Sequence, residues 1–160
     1  MVVQTLQNPV HQRIQEFLDQ FQLGIKVIEF EVSTETSELA ARALGVTPAQ
    51  IAKSLVFLAD DQPLLVVTCG DLRVDTKKLK ALTGARKIRF ANPEQALHYT
   101  GHPAGGVCPF ALSQPLPVYL DISMQRFPLV YAAAGTPNSA VPVTLEQLQV
   151  ITGGQVVDVC

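Results

Sequence analysis

Three observations predict an α+β fold: one domain in which a curled, mixed β-sheet or partial barrel carries helices packed outside it. Helical and strand-like segments are interspersed along the chain. Several strand pairs are joined by hairpin-length links, which argues against a purely parallel, doubly wound sheet. The 160 residues are 48% apolar, enough for one buried core, and no linker, low-complexity tract or internal repeat divides residues 1–160.

The elements follow in order. Asn8-Pro9, Thr47-Pro48 and Asn92-Pro93 each pair a capping residue with proline at a first helical position. After Asn8, the spacing of Val10, Ile14, Phe17, Leu18 and Phe21 predicts a helix ending near Gly24. Ile25 to Val32 alternates as a strand, and Ser37 to Leu44 is a short helix closed by Gly45. Beyond the Thr47-Pro48 turn, Gln50 to Phe57 reads as a strand. Asp60-Asp61-Gln62 links it to Pro63–Thr68, an apolar run predicted to be covered on both faces. Asp75 to Leu82 is a helix ending at Gly84, whose Lys77, Lys78 and Lys80 read most simply as a solvated face, with phosphate contact the alternative. Lys87–Phe90 is a strand, Pro93–Tyr99 a helix stopped by Gly101, and Gly101–Pro109 a loop. Pro117–Ile122, Leu129–Ala133 and Val141–Val143 are strands, with a turn at Gly135–Ser139. Thr144 with Gln147 resembles a capping box opening a helix that ends at Gly153-Gly154, and Gln155–Val159 is a final strand.

Composition narrows the function. The formal net charge is −2, whereas a protein that grips many phosphates by charge alone is usually basic. Nucleic-acid contact is therefore expected to be small and local. No apolar run approaches the roughly 20 residues of a membrane span, and Met1–Thr5 lacks the basic start and apolar block of a secretory signal. Cys69, Cys108 and Cys160 are odd in number and far apart, as expected of reduced thiols in a cytoplasmic protein. No metal-ligand spacing and no cofactor fingerprint occurs, neither a dinucleotide G-x-G-x-x-G nor a P-loop.

Two stretches carry chemistry. In Gln50–Phe57 the strand period places Ile51, Lys53, Leu55 and Phe57 on one face. A lysine in an apolar column either lays its stem on apolar surface and reaches water, or faces a cleft that receives an anion. In Gly101–Pro109 the adjacent Gly105 and Gly106 let the backbone approach a ligand and offer amides to an oxyanion or carbonyl. The plainer alternative is a surface turn that needs positive φ. Cys108, with His102 nearby, could be a nucleophile, although a cysteine beside proline in an apolar loop is more often packing. His11 and His98 are expected at the surface or at helix ends. Asp121 and Asp158 are isolated carboxylates, so no acid–base pair is apparent.

Together these stretches resemble the YbaK/EbsC family, the free-standing relatives of the editing domain inserted in bacterial prolyl-tRNA synthetases. The matching residues are Gln50–Phe57, Arg73–Leu79, Thr100-Gly101, Gly105–Pro109, Ala132–Pro137 and the end from Leu148 to Val159. The likeness runs from Ser33 onward. It implies the fold of that editing domain and a trans-editing deacylase that hydrolyses the ester of a wrong small amino acid on tRNA, with tRNA(Pro) expected. It also implies catalytic roles for Lys53, at the sugar–phosphate of the 3′ acceptor end, and for Gly105, Gly106 and Pro109 of the G-x-x-x-P loop. The backbone around Gly106 would bind the ester carbonyl. Phe30, Val107, Cys108, Ala133, Ala134 and Gly135 are implied in substrate binding. Aminoacyl-tRNA is then the partner, with prolyl-tRNA synthetase or an elongation factor assisting. Two departures concern specificity: Ala133 and about Ala140 stand where the family's cysteinyl-tRNA deacylases carry serine and aspartate, and Ala111 replaces a frequent glycine. A non-catalytic module that binds a tRNA 3′ end or a synthetase, and a Cys108-dependent hydrolase, are the competing readings.

Overall fold

A computed structural model describes residues 5–160. Met1–Gln4, which carry most of the stretch read for a secretory signal, lie outside the described residues. The architecture is mixed α+β, with two sheets rather than a closed barrel. The five-stranded sheet has the order β4 (Ile88–Phe90), β2 (Ala52–Ala59), β3 (Gln62–Cys69), β5 (Val118–Asp121), β8 (Gln155–Val157). β2 pairs antiparallel with β3 and β4, whereas β5 runs parallel to β3 and β8 parallel to β5. The three-stranded sheet has the order β1 (Ile28–Glu29), β7 (Ser139–Val143), β6 (Val130–Ala132), all antiparallel. A single bridge between Ile51 and Tyr131 joins the two sheets, and this junction is where the curl places a cleft.

The β2–β3 hairpin is the spine. Asp60 and Asp61 form its two-residue turn with φ of 48° and 66°, the left-handed pair that suits the strand twist. Every residue from Leu64 to Cys69 is buried, as the apolar run predicted. Leu65 and Val67 enter the main core with Ile14 and Leu18, while Leu64 and Val66 pack on the other face with Phe57 and Leu79.

Among the described residues, five helices cover the sheets: α1 (Pro9–Asp19), α2 (Ser37–Leu44), α3 (Thr76–Thr83), α4 (Pro93–Thr100) and α5 (Leu145–Thr152). Asn8, Thr36, Asp75, Asn92 and Thr144 each cap a helix through the side chain, and α4 and α5 carry full capping boxes. Two expectations are corrected. Thr47-Pro48 opens only a single 3₁₀ turn, Pro48–Gln50, without a side-chain cap. The strand expected over residues 25–32 shrinks to Ile28–Glu29. Beyond it the backbone bonds irregularly to the 137–138 turn, from Phe30 N–H to Asn138 O (2.9 Å) and from Thr34 N–H to Pro137 O (2.7 Å).

Candidate active site

At the junction of the two sheets lies a cleft of about 260 Å³. The start of β2 (Ile51–Leu55), the segment Thr34–Ser37 leading into α2, the glycine loop and the end of β6 line it. Lys53 is half-buried there. It lies on the strand face of Leu55 and Phe57, and its ammonium donates to the Leu72 carbonyl. The loop carrying that carbonyl is itself fixed. Gly70 N–H donates to Ile51 O (2.7 Å), and Arg126 grips Asp71 through two bonds of 2.8 and 3.1 Å. The bonds from Arg126 hold the Asp71 carboxyl below its usual range. Among the described residues, Lys53 is the only basic side chain lining the cleft and Glu35 the only acidic one.

The glycine loop approaches from the other chain segment. Gly105 and Val107 line the cleft, and neither amide has an acceptor among the described residues. Gly106 sits behind them. Its N–H donates to Pro103 O (2.9 Å) and its carbonyl accepts from Gly135 N–H (3.1 Å). A Cβ there would stand 2.5 Å from the Gly135 carbonyl carbon and the Thr136 nitrogen, so only glycine lets the two loops touch. The amide expected to serve the substrate at Gly106 is therefore occupied within the loop, and the open amides are those of its two neighbours.

Of the ten residues singled out from sequence, Lys53, Gly105, Val107 and Ala133 share the cleft. The other six lie outside its lining. Gly106 and Gly135 form the packed backing, and Ala134 is fully buried with its N–H on Ser139 Oγ (2.9 Å). Phe30, just past β1, donates its N–H to Asn138 O (2.9 Å) and accepts at its carbonyl from Asn138 Nδ2 (3.0 Å). Pro109 borders a separate groove with Phe17 and Ile151. Cys108 is fully buried in the main core, and burial pushes its thiol up to about 12. His102, 3.5 Å from that sulfur, is also buried, and burial pushes its imidazole below the usual value. Its Nε2 donates to Phe110 O (2.7 Å).

Two features escaped the sequence reading. Ser54 lines the cleft beside Lys53, and its buried hydroxyl has no partner among the described residues. His11, expected at the surface, is fully buried. Its Nδ1 meets Glu29 at 2.6 Å and its Nε2 meets Thr136 Oγ1 at 2.5 Å. The spacing of His11 with Ile14 and Leu18 on the buried face of α1 was the available signal. Through Thr136, this pair ties α1 to the loop that backs Gly106.

The family description "aminoacyl-tRNA editing domain" matches residues 31–151, most of the chain. The chain belongs to that family. This editing domain is 44% identical over 136 residues to the uncharacterised protein YwhH of Bacillus subtilis, covering 84% of this chain and 86% of that one. It is 35% identical over 103 residues to a proline–tRNA ligase of Bacillus licheniformis, covering 64% of the editing domain's chain but 18% of the ligase. A crystal structure of a candidate trans-editing enzyme for prolyl-tRNA synthetase superposes with a TM-score of 0.88 at 38% identity, covering 96% of this chain and 98% of the other.

Proposed function

We propose that this editing domain is a free-standing deacylase that hydrolyses the ester between a small, wrongly attached amino acid and the terminal adenosine of tRNA, with tRNA(Pro) as its substrate. The observation that carries the reading is the meeting of Lys53 and the open amides of Gly105 and Val107 in one cleft, with the neighbouring Cys108 thiol fully buried. An aminoacyl ester is already activated, so a positioned water and a stabilised oxyanion suffice without a nucleophilic side chain. Water adds to the ester carbonyl, and the amides at Gly105 and Val107 receive the negative charge that develops on its oxygen. The acyl C–O bond then breaks. The ribose oxygen keeps the electron pair and takes up the proton released by the attacking water, leaving free amino acid and tRNA. Lys53 engages the sugar–phosphate of the 3′ end, and binding there positions the reacting ester. A trans-editing role is supported by the structural relative described for prolyl-tRNA synthetase and by the match to an internal part of proline–tRNA ligases. That substrate implies work in the cytoplasm, with the synthetase or an elongation factor presenting the tRNA.

The rest of the cleft wall sets the size and chemistry of the side chain removed. Ala133 and Ala140 are apolar there. The Ser139 hydroxyl is occupied, accepting from Ala134 N–H and donating to Thr136 O (3.1 Å). Alanine fits such a wall better than cysteine, which gains no polar partner for its thiol. A panel of tRNA(Pro) charged with alanine, cysteine, serine and proline tests the reading. We expect alanyl-tRNA(Pro) to be hydrolysed fastest and prolyl-tRNA(Pro) to be spared. Binding of all four without hydrolysis would replace the deacylase with a recognition module.

A further inference from the structure

Glu35 has no role in the chemistry above, and among the described residues it is the one acid on the cleft wall. We propose that Glu35 receives the α-ammonium of the aminoacyl ester and so confines the enzyme to esters with a free amino group. The proposal rests on the cleft being the ester site. The backbone around Glu35 is held on both sides. Thr34 Oγ1 donates to Ser139 O (3.1 Å) and accepts from Ser139 N–H (2.9 Å), and Thr36 caps α2 by accepting from Leu39 N–H (3.1 Å). Glu35 packs directly on Gly105. A Cβ built on that glycine would stand 2.8 Å from Glu35 Cβ and 3.5 Å from its Cα.

The carboxylate has no hydrogen-bond or ion-pair partner among the described residues, whereas Glu29, Asp61 and Asp71 are all engaged. In an aminoacyl ester the ammonium sits on the carbon next to the carbonyl carbon. A substrate whose carbonyl rests on the amide of Gly105 thus brings its ammonium to the residue packed against that glycine. Its two charged ends, phosphate and ammonium, then meet Lys53 and Glu35 respectively. Position 105 suits glycine on two counts: its φ is 82°, and a Cβ there would press on Glu35 Cβ.

The test compares alanyl-tRNA(Pro) with lactyl-tRNA(Pro), its isostere in which a hydroxyl replaces the ammonium, using the wild-type chain, Glu35→Gln and Glu35→Asp. Ratios between enzymes cancel the intrinsic reactivity of the two esters. Glu35 is exposed, so both variants are expected to fold. We expect Glu35→Gln to lower kcat/KM for the alanyl ester about fivefold, the scale of a partly solvated ion pair, with the lactyl ester unchanged and partial recovery in Glu35→Asp. Equal loss on both esters, or no loss on either, overturns the role of Glu35 and leaves the deacylase reading standing. A wild-type chain that hydrolyses neither ester overturns the deacylase reading and this inference with it.

Discussion

Cys108 shows how burial decides between two chemistries that sequence leaves open. A thiol pushed up to about 12 carries its proton at neutral pH, and the adjacent His102 is held neutral by the same burial. The pair packs the core and is not primed for attack. Cys108→Ser is expected to keep deacylation within about threefold of wild type, whereas a loss of two to three orders of magnitude, the scale of a missing catalytic group, would restore the thiol mechanism. Ala111 is a second residue-scale case. It has φ of 49°, in the left-handed region, where a Cβ costs roughly 1–2 kcal/mol. Glycine removes that strain but adds freedom to the unfolded chain, roughly 0.4–1 kcal/mol. Ala111→Gly should therefore raise the unfolding free energy by about 0.5–1 kcal/mol, read from denaturant midpoints; a decrease would show that the methyl group packs better than its backbone is strained. Lys53 was legible because an ammonium in an apolar column stands out. Glu35 was not, since one acid in the polar run Ser33–Ser37 looks like solvated surface until the fold sets it on Gly105.

Among the elements, α1 has the most consequential contact. It precedes the matched span, yet His11 joins it to Glu29 and to Thr136, and Thr136 backs the glycine loop. Burial raises the Glu29 carboxyl, but the amides of Gln7 and Asn8 together with His11 outweigh it and hold the carboxyl below its usual value of 4.5. A depressed carboxyl contributes stability that is complete above pH 4.5 and fades as pH falls through the lower folded value. Glu29→Gln should thus flatten the acid limb of the stability curve below pH 4.5 and leave its shape near neutrality unchanged; an unaltered acid limb would contradict the coupling. His11→Ala removes the buried imidazole that joins Glu29 to Thr136 and is expected to cost roughly 2–4 kcal/mol in unfolding free energy. Helix starts were readable in the sequence because caps are local: Asn8, Asn92 and Thr144 all act as their spacing predicts. The strand expected over 25–32 is only Ile28–Glu29. Alternation there reflects Ile25 and Val27 entering the core, whereas the backbone's partners are the turn at 137–138.

For the molecule as a whole, the curl of two sheets about the Ile51–Tyr131 bridge brings residues 35, 53, 105 and 133 to one cleft. The mixed sheet followed from the short links between strands. The meeting of four distant segments did not, because it depends on register and on a junction that no local pattern encodes. Charge also acts at this scale. With a net charge of −2, few phosphates can be engaged, so isolated protein is expected to bind tRNA weakly, with a shallow dependence on salt. Tight retention of tRNA in about 0.15 M salt, where the screening length is roughly 8 Å, would contradict that and remove the need for a presenting partner. The claim on which the account turns is that Lys53 and the glycine loop make this cleft a hydrolytic site. The most direct test is the single-turnover rate of alanyl-tRNA(Pro) deacylation by Lys53→Ala beside wild type. The account predicts a fall of about 10²–10³-fold with thermal stability retained, and a Lys53→Ala rate equal to wild type would contradict it.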